Sequence, residues 1–241
     1  MGCCCLNKNG IYKRSCSNIN HYNHIGTLIG ENNGVKAFLN CDNCILKIIF
    51  SCDFRNYVKK EELNSKKNYY TGYKHQCVEY VRRWLLFNKR VLFGDIGIAH
   101  DIFQKVNAVE NIDTAEKLKL ASIENGGTSC PEYGDLLIFR KSPKNSVGHV
   151  AVITEVNVES DFVKIAEQNY DNIWEDHTSY SRLLVLFTEK INKTTNKYFI
   201  IEDDFRLSGS QVIEYSKNKE KVKNYVERNK YKILGWKQIQ N

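Results

Sequence analysis

The sequence predicts an α+β protein in which helices come first and an antiparallel sheet follows. Between Cys77 and about residue 122, apolar residues recur with helical spacing. Beyond Gly126-Gly127, short extended segments alternate with loops rich in Pro, Asn, Ser and Asp. With 241 residues and 42% hydrophobic content, the chain can bury a sizeable core. We therefore expect one domain over residues 25–241, preceded by a tail.

The tail, residues 1–24, shows no hydrophobic periodicity and is predicted to be disordered. It opens with Met1-Gly2 followed by Cys3 to Cys5, which fits myristoylation of Gly2 and palmitoylation of Cys3 and its neighbours. Two acyl chains would hold the protein at a membrane. Leu6 stands where the motif has Ser or Thr, so an unmodified tail is the alternative.

Composition limits the compartment and the partners. Nine cysteines with no signal peptide before them favour a reducing, cytoplasmic setting without disulfides. The charge of +7 comes from 35 basic and 28 acidic residues spread along the chain, so no nucleic-acid partner is expected. His21-x-x-His24 and Cys41-x-x-Cys44 carry the residue types of a zinc site, but a structural role is the simpler interpretation. We expect no metal and no cofactor.

The first elements precede a single cysteine. Residues 27–39 predict a hairpin with an Asn-Gly turn, and residues 53–68 a loop or short helix. Next comes an amphipathic helix, with Val78, Val81 and Leu85 on one stripe. Cys77 lies at its start, where free backbone N–H groups and the helix dipole favour a thiolate. Cys77 is therefore a candidate nucleophile, and a small buried apolar residue is the alternative.

Two further helices are predicted before the glycine break. Asp95 is placed to cap the first, whose stripe is Ile96, Ala99, Phe103 and Val106. Asp113 and Glu116 form a capping-box pattern for a short helix that ends near Ser122. Six candidate strands follow: 134–139, 149–156, 162–169, 182–187, 198–201 and 232–236.

A hairpin between the second and third of these strands would join His149 to Glu167 and Asn169. If the turn is centred on Val158, His149 lies opposite Glu167. A shift of the centre by one residue places His149 opposite Asn169 on the same face. Either register gives the imidazole a polar neighbour that can orient it. A thiol, a histidine and a carboxylate together form a nucleophile, base and orienter set.

The chain resembles the amidase domain of the bifunctional glutathionylspermidine and trypanothione synthetase/amidases, within the papain-like CHAP (cysteine, histidine-dependent amidohydrolase/peptidase) group. The similarity spans about residues 26–236. It is carried by GTLIGENNGVKAF, the stretch from Tyr73 that contains QCVEYVRRW, then GDLLIF, GHVAVITEV, VKIAEQN and the closing ILGW.

The resemblance implies a papain-like fold with the cysteine helix packed on an antiparallel sheet. It implies that Cys77 is the nucleophile, His149 the base and Glu167 the third member. It also implies that Gln76, with the Cys77 N–H, forms the oxyanion hole, and that two further side chains, Arg82 and Asn169, line the substrate cleft. The expected reaction is hydrolysis of the amide between the glutathione glycine carboxyl and a polyamine.

The chain departs from the family in two respects, and two alternative functions stay open. The residues of a synthetase half are absent, so we expect hydrolysis alone. The charged segment from Ser208 to Lys230 is longer than the family's approach to ILGW, and its role is open. The alternatives are a peptidoglycan amidase or endopeptidase of the same group, and a catalytically idle, membrane-anchored binding module.

Overall fold

The computed structural model describes residues 25–40, 55–143, 145–170, 173–177, 179–202, 220, 224, 226, 227, 229 and 231–240. Three helices are described over their whole length: α1 (Lys60–Leu63), α2 (Cys77–Lys89) and α3 (Ile102–Lys105), with a 3-10 turn at Ala99–Asp101. The strands are β1 (Leu28–Asn32), β2 (Val35–Phe38), β3 (Arg55–Val58), β4 (Tyr69–Tyr73), β5 (Val91–Leu92), β6 (Ala108–Asn111), β7 (Lys117–Glu124), β8 (Leu136–Phe139), β9 (His149–Asn157), β10 (Phe162–Ala166), β11 (Arg182–Lys190), β12 (Asn196–Ile201) and β13 (Ile233–Gln240).

Nine strands form one antiparallel sheet in the order β12-β11-β10-β9-β8-β13-β7-β6-β5. Alternate residues of its central strands face opposite sides, because side chains alternate along a strand. On one side Val150 and Val152 pack with Tyr80 and Trp84 of α2. On the other side Ala151 and Ile153 pack in a second apolar cluster with Trp236. The predicted α+β class is confirmed.

The predicted hairpin at residues 27–39 is confirmed as β1–β2. Asn33 and Gly34 at its tip have φ values of 46° and 79°, the left-handed pair that a tight two-residue hairpin turn requires. A Cβ at Gly30 would lie 2.3 Å from the ring of Trp174, so only glycine lets the hairpin approach that ring. The hairpin thereby packs on the segment that follows β10.

The two helices predicted after α2 require correction. Asp95 does not cap a long helix. Its carboxylate accepts the Ile96 N–H, and only a 3-10 turn and the four residues of α3 follow. The helix predicted from Asp113 to Ser122 is wrong, because that stretch belongs to the β6–β7 hairpin and β7 pairs with β13. Asn111 accepts the N–H groups of Asp113 and Thr114 at the hairpin tip.

Residues 55–68 hold more structure than a loop or short helix. The short helix is present as α1, but β3 precedes it and pairs with β4 in a separate two-stranded sheet. The described residues of the 208–230 segment are helical, and Val226 packs against Phe162, Leu183 and Val185. No helix among the described residues combines the length and apolar character that crossing a membrane requires.

Candidate active site

Cys77 is the first residue of α2, and Gln76 precedes it as the N-cap residue in extended conformation. His75, one residue earlier, has a left-handed φ of 64°, which turns the chain sharply from β4 into the helix. The Cys77 side chain is 1% exposed and belongs to the same apolar cluster as Val150. The nucleophile candidate is therefore buried on the face of the sheet that α2 covers.

His149 is the first residue of β9, directly after Gly148. Gly148 has a φ of 70°, and a Cβ there would lie 2.7 Å from the Phe139 carbonyl oxygen. Only glycine allows this tight entry into the strand. The buried imidazole contacts the rings of Phe139 and Tyr170, and its Nε2 lies 2.8 Å from Glu167 Oε2.

Three residues hold the Glu167 carboxylate through four hydrogen bonds. Besides His149, Arg182 donates from Nε to Oε1 at 2.5 Å and from a terminal nitrogen to Oε2 at 2.9 Å. Ser181 Oγ donates to Oε1 at 3.2 Å. Burial would raise the pKa of Glu167, but the positive charge of Arg182 and the bond to His149 outweigh it and lower that pKa to about 2. Glu167 is therefore ionised throughout the neutral range.

The β9–β10 register corrects one of the two predicted alignments. Ile165 pairs with Ile153 and Ala166 with Val152, so continuing the ladder places Asn169 opposite His149. The alignment centred on Val158, with Glu167 opposite His149, is wrong. The turn itself is centred between Glu159 and Ser160, because Phe162 pairs with Asn157. A bulge at Thr154, an extra residue on β9, then shifts the pairing by one residue and places Asn169 rather than Tyr170 opposite His149. Glu167 therefore reaches His149 along a diagonal.

The residues after Glu167 fasten β10 to the start of α2. Asn169 Nδ2 donates to Gln76 Oε1 at 2.9 Å, and Asn169 has a left-handed φ of 60°. Gln168 accepts the Phe38 N–H at 2.7 Å and donates to the Gln76 carbonyl at 3.4 Å. These bonds join the segment after β10, which carries the partner of His149, to the residue before Cys77.

Arg82 lies one and a half turns along α2 from Cys77. Its Nε donates to the Phe93 carbonyl at 3.2 Å, and a terminal nitrogen lies 3.5 Å from Asp95. The guanidinium also lies 5.6 Å from the Tyr70 ring. Burial lowers the Arg82 pKa, which the negative charge of Asp95 partly offsets. The described contacts of Arg82 are with these residues rather than with Gln76 or Asn169.

The sequence prediction missed three residues around Glu167: Arg182, Ser181 and Glu202. Arg182 was predicted only as the start of a strand. Its signal was a charged residue at the head of the apolar run Leu183 to Phe187, where the strand lies inside the sheet. A buried guanidinium must be paired, so this position already pointed to a buried carboxylate.

The lipidation candidates Gly2 and Cys3 lie outside the described residues, as do His21, His24, Cys41 and Cys44. Among the residues that the structure does describe, no group of three or more His, Cys, Asp or Glu side chains is arranged to hold a metal ion.

Residues 67–169, which include Cys77, His149 and Glu167, match the CHAP domain family. The chain is 43% identical over 114 residues to a trypanothione synthetase of Crithidia fasciculata, covering 47% of this chain and 17% of that protein. It is 35% identical over 148 residues to the bifunctional glutathionylspermidine synthetase/amidase of Escherichia coli (strain K12), covering 60% and 22%.

A glutathionylspermidine synthase of Crithidia fasciculata is 29% identical over 119 residues, covering 48% of this chain and 16% of that protein. The chain thus spans about a fifth of the length of the curated relatives that it matches. These matches confirm the resemblance to the amidase domain of this group.

Proposed function

We propose that the protein is a cysteine amidohydrolase that cleaves the amide between the glycine carboxyl of glutathione and a polyamine nitrogen. One observation carries the proposal: within the CHAP match, the buried His149–Glu167 bond lies beside the helix that begins at Cys77. The names of the relatives supply the substrate class.

The protonation of the site follows from Glu167. An ionised carboxylate can only accept hydrogen bonds, so the bond at 2.8 Å requires that His149 Nε2 carry a proton. The other ring nitrogen, Nδ1, is then the atom that exchanges a proton with the Cys77 sulfur and with the substrate. Glu167 holds the ring in this tautomer and stabilises the imidazolium.

In the proposed reaction the Cys77 thiolate attacks the amide carbonyl and forms a tetrahedral intermediate. The His149 Nδ1 proton passes to the amine nitrogen as the C–N bond breaks, which releases the polyamine and leaves a thioester. The imidazole then takes a proton from water, whose oxygen attacks the thioester. The thiolate leaves, and glutathione is released.

Gln76 and the Cys77 backbone are the proposed oxyanion donors. Because Asn169 donates to the Gln76 Oε1, the amide of Gln76 is held with its Nε2 as the donor that remains for substrate. The N–H of Cys77 belongs to the first turn of α2, where backbone N–H groups point out of the end of the helix. One such donor contributes about 3 kcal/mol to the transition state.

Arg82 and Asn169 are the proposed substrate-binding residues. At 3.5 Å, the contact of Arg82 with the exposed Asp95 is long for a charged hydrogen bond. A carboxylate of the glutathione moiety could displace Asp95 and bind the guanidinium bidentately. Asn169 would act through Gln76, next to the scissile amide. Acylation of Gly2 and Cys3 stays a prediction.

The test is incubation with glutathionylspermidine and detection of free spermidine by mass spectrometry. We expect release by the wild-type chain and none by Cys77→Ala. Cys130→Ala is the matched control, because Cys130 is a second thiol and burial raises its pKa. It should retain full activity, and iodoacetamide at pH 6 should alkylate Cys77 well ahead of Cys130. No release by the wild-type chain would contradict the proposal.

A further inference from the structure

A buried ionic chain continues behind Glu167, away from His149. Arg182, which is bidentate on Glu167, also donates from its Nη1 to Glu202 Oε1 at 2.6 Å. The Tyr170 hydroxyl donates to the same Glu202 oxygen. The Tyr170 ring lies 3.9 Å from the Arg182 guanidinium and 4.9 Å from the His149 ring. The chain thus runs from imidazole to carboxylate to guanidinium to carboxylate.

Arg182 creates an electrostatic problem for the proposed mechanism. A lone carboxylate stabilises an imidazolium strongly, but a carboxylate neutralised by a guanidinium does so much less, because the two fields largely cancel. The negative charge of Glu202 offsets the positive charge of Arg182. Glu167, Arg182 and Glu202 sum to one negative charge, so protonating His149 makes the buried cluster neutral.

We infer that Arg182 and Glu202 are positioning residues that act through Glu167. Arg182 fixes the carboxylate against His149, and Glu202 supplies the charge that lets the site hold a protonated imidazole. This inference rests on the proposed function only in taking His149 as the base. Tyr170 holds Glu202 in place. Burial raises the pKa of the Tyr170 hydroxyl far above its usual range, so the hydroxyl stays a neutral donor.

The charged and titratable groups around this cluster come from several elements. β11 contributes Arg182, the end of β12 contributes Glu202, and the segment after β10 contributes Glu167 and Tyr170. From α2, Tyr80 interacts electrostatically with Glu167, and burial raises the pKa of Tyr80 so that its hydroxyl stays neutral. Of the ionised groups that act on Glu167 and Arg182, Glu202 can be changed without altering the proposed triad.

The experiment is the rate of Cys77 alkylation by iodoacetamide between pH 4 and pH 10, without substrate. The acid limb of this profile reports thiolate formation, and the basic limb reports loss of the imidazolium. Glu202→Gln keeps the shape and removes the charge, so we expect its basic limb to move down by about half a pH unit. Glu202→Asp keeps the charge and should leave the limb near its wild-type position.

A matched control is Glu155→Gln, since Glu155 is paired with Lys164 across β9 and β10 and is partly exposed. Its profile should equal that of the wild type. A second variant, Arg182→Lys, keeps the positive charge but loses the bidentate hydrogen bonds to Glu167. We expect it to lower kcat for conjugate hydrolysis at least tenfold with little change in KM.

A basic limb that is unmoved in Glu202→Gln, or moved equally in Glu155→Gln, would overturn the inference. So would a kcat for Arg182→Lys equal to that of the wild type. Failure of the proposed function is a separate result. If the wild-type chain does not cleave glutathionylspermidine, the alkylation profiles still report whether Glu202 sets the protonation of the Cys77–His149 pair.

Discussion

Two carboxylates at opposite ends of the β8–β9 strand pair have the same exposed fraction and different protonation. Glu167, next to the start of β9, and Asp135, next to the start of β8, are each 4% exposed. Glu167 has a pKa of about 2, whereas burial raises the pKa of Asp135 to about 7. Equal burial thus leaves one carboxylate ionised and the other half protonated at neutral pH.

The difference comes from the partners. Arg182 and His149 bring positive charge to Glu167. Asp135 accepts the Glu132 N–H at 2.8 Å and a hydrogen bond from the Gln238 side-chain amide at 3.3 Å, both from neutral donors. Neutral donors satisfy a buried oxygen without offsetting the loss of solvation of a full charge. The charged end of the strand pair is the proposed catalytic end.

The largest effect is expected from Glu167→Gln, which removes the charge that Arg182 and His149 share. Breaking one side of a buried ion pair costs about 3–5 kcal/mol, and hydrolysis should fall at least a hundredfold as the imidazole loses its orienter. Urea unfolding and spermidine release measure the two effects. Glu155→Gln, at a partly exposed ion pair, should change neither by much. A loss of stability below 1 kcal/mol would refute the view of Glu167 as a tightly paired charge.

The opposite result, a gain in stability, is expected from Asp135→Asn at the other end of the β8–β9 strand pair. Because the folded-state pKa of Asp135 is raised, its contribution to stability is full below about pH 4, falls as pH rises and is lost above about pH 7. Asparagine keeps the acceptor and does not ionise. We therefore expect the variant to be close to the wild type at pH 4 and to be more stable by about 4 kcal/mol at pH 8.

Thermal unfolding between pH 4 and pH 8 tests this, with Asp113→Asn as the matched control. The bond to Arg90 lowers the Asp113 pKa, so that group titrates below this range. The Asp113→Asn variant should keep the wild-type slope of melting temperature against pH between pH 5 and pH 8. If Asp135→Asn also keeps that slope, Asp135 is ionised in the folded protein and the comparison with Glu167 fails.

Local patterns predicted the parts of the fold that are made locally. The stripe of Val81 and Leu85 defined α2, the Asn-Gly turn defined β1–β2, and alternation defined the strands from β8 onward. The β6–β7 hairpin was missed because the capping pattern at Asp113 and Glu116 is also compatible with a hairpin turn. The sheet pairing that decides between them joins β7 to β13, more than 100 residues away.

The site residues also fall into two groups: those that a local hairpin brings together and those that only the order of strands in the sheet brings together. His149 and Glu167 were predicted together because one hairpin joins them, and strand geometry limits which side chains can share a face. Arg182 and Glu202 were missed because they belong to β11 and the end of β12, and only the sheet order brings them behind Glu167. The bulge at Thr154 contributes to the register between β9 and β10, and the alternation of apolar residues did not indicate it.

The smallest effect is expected from Lys89→Gln, which tests whether a distant charge moves Asp135 at all. Lys89 is exposed in the last turn of α2, and its positive charge lowers the pKa of Asp135 slightly against the larger effect of burial. Removing it should raise the midpoint of the Asp135-dependent stability change by a few tenths of a pH unit. Lys89→Arg keeps the charge and should leave the midpoint in place. The shift should shrink in 0.5 M salt, because an exposed charge is screened and a buried hydrogen bond is not. A shift that salt does not reduce would mean that Lys89 acts through its packing on Tyr133, whose ring lies 4.8 Å from the Lys89 Nζ, instead of through its charge.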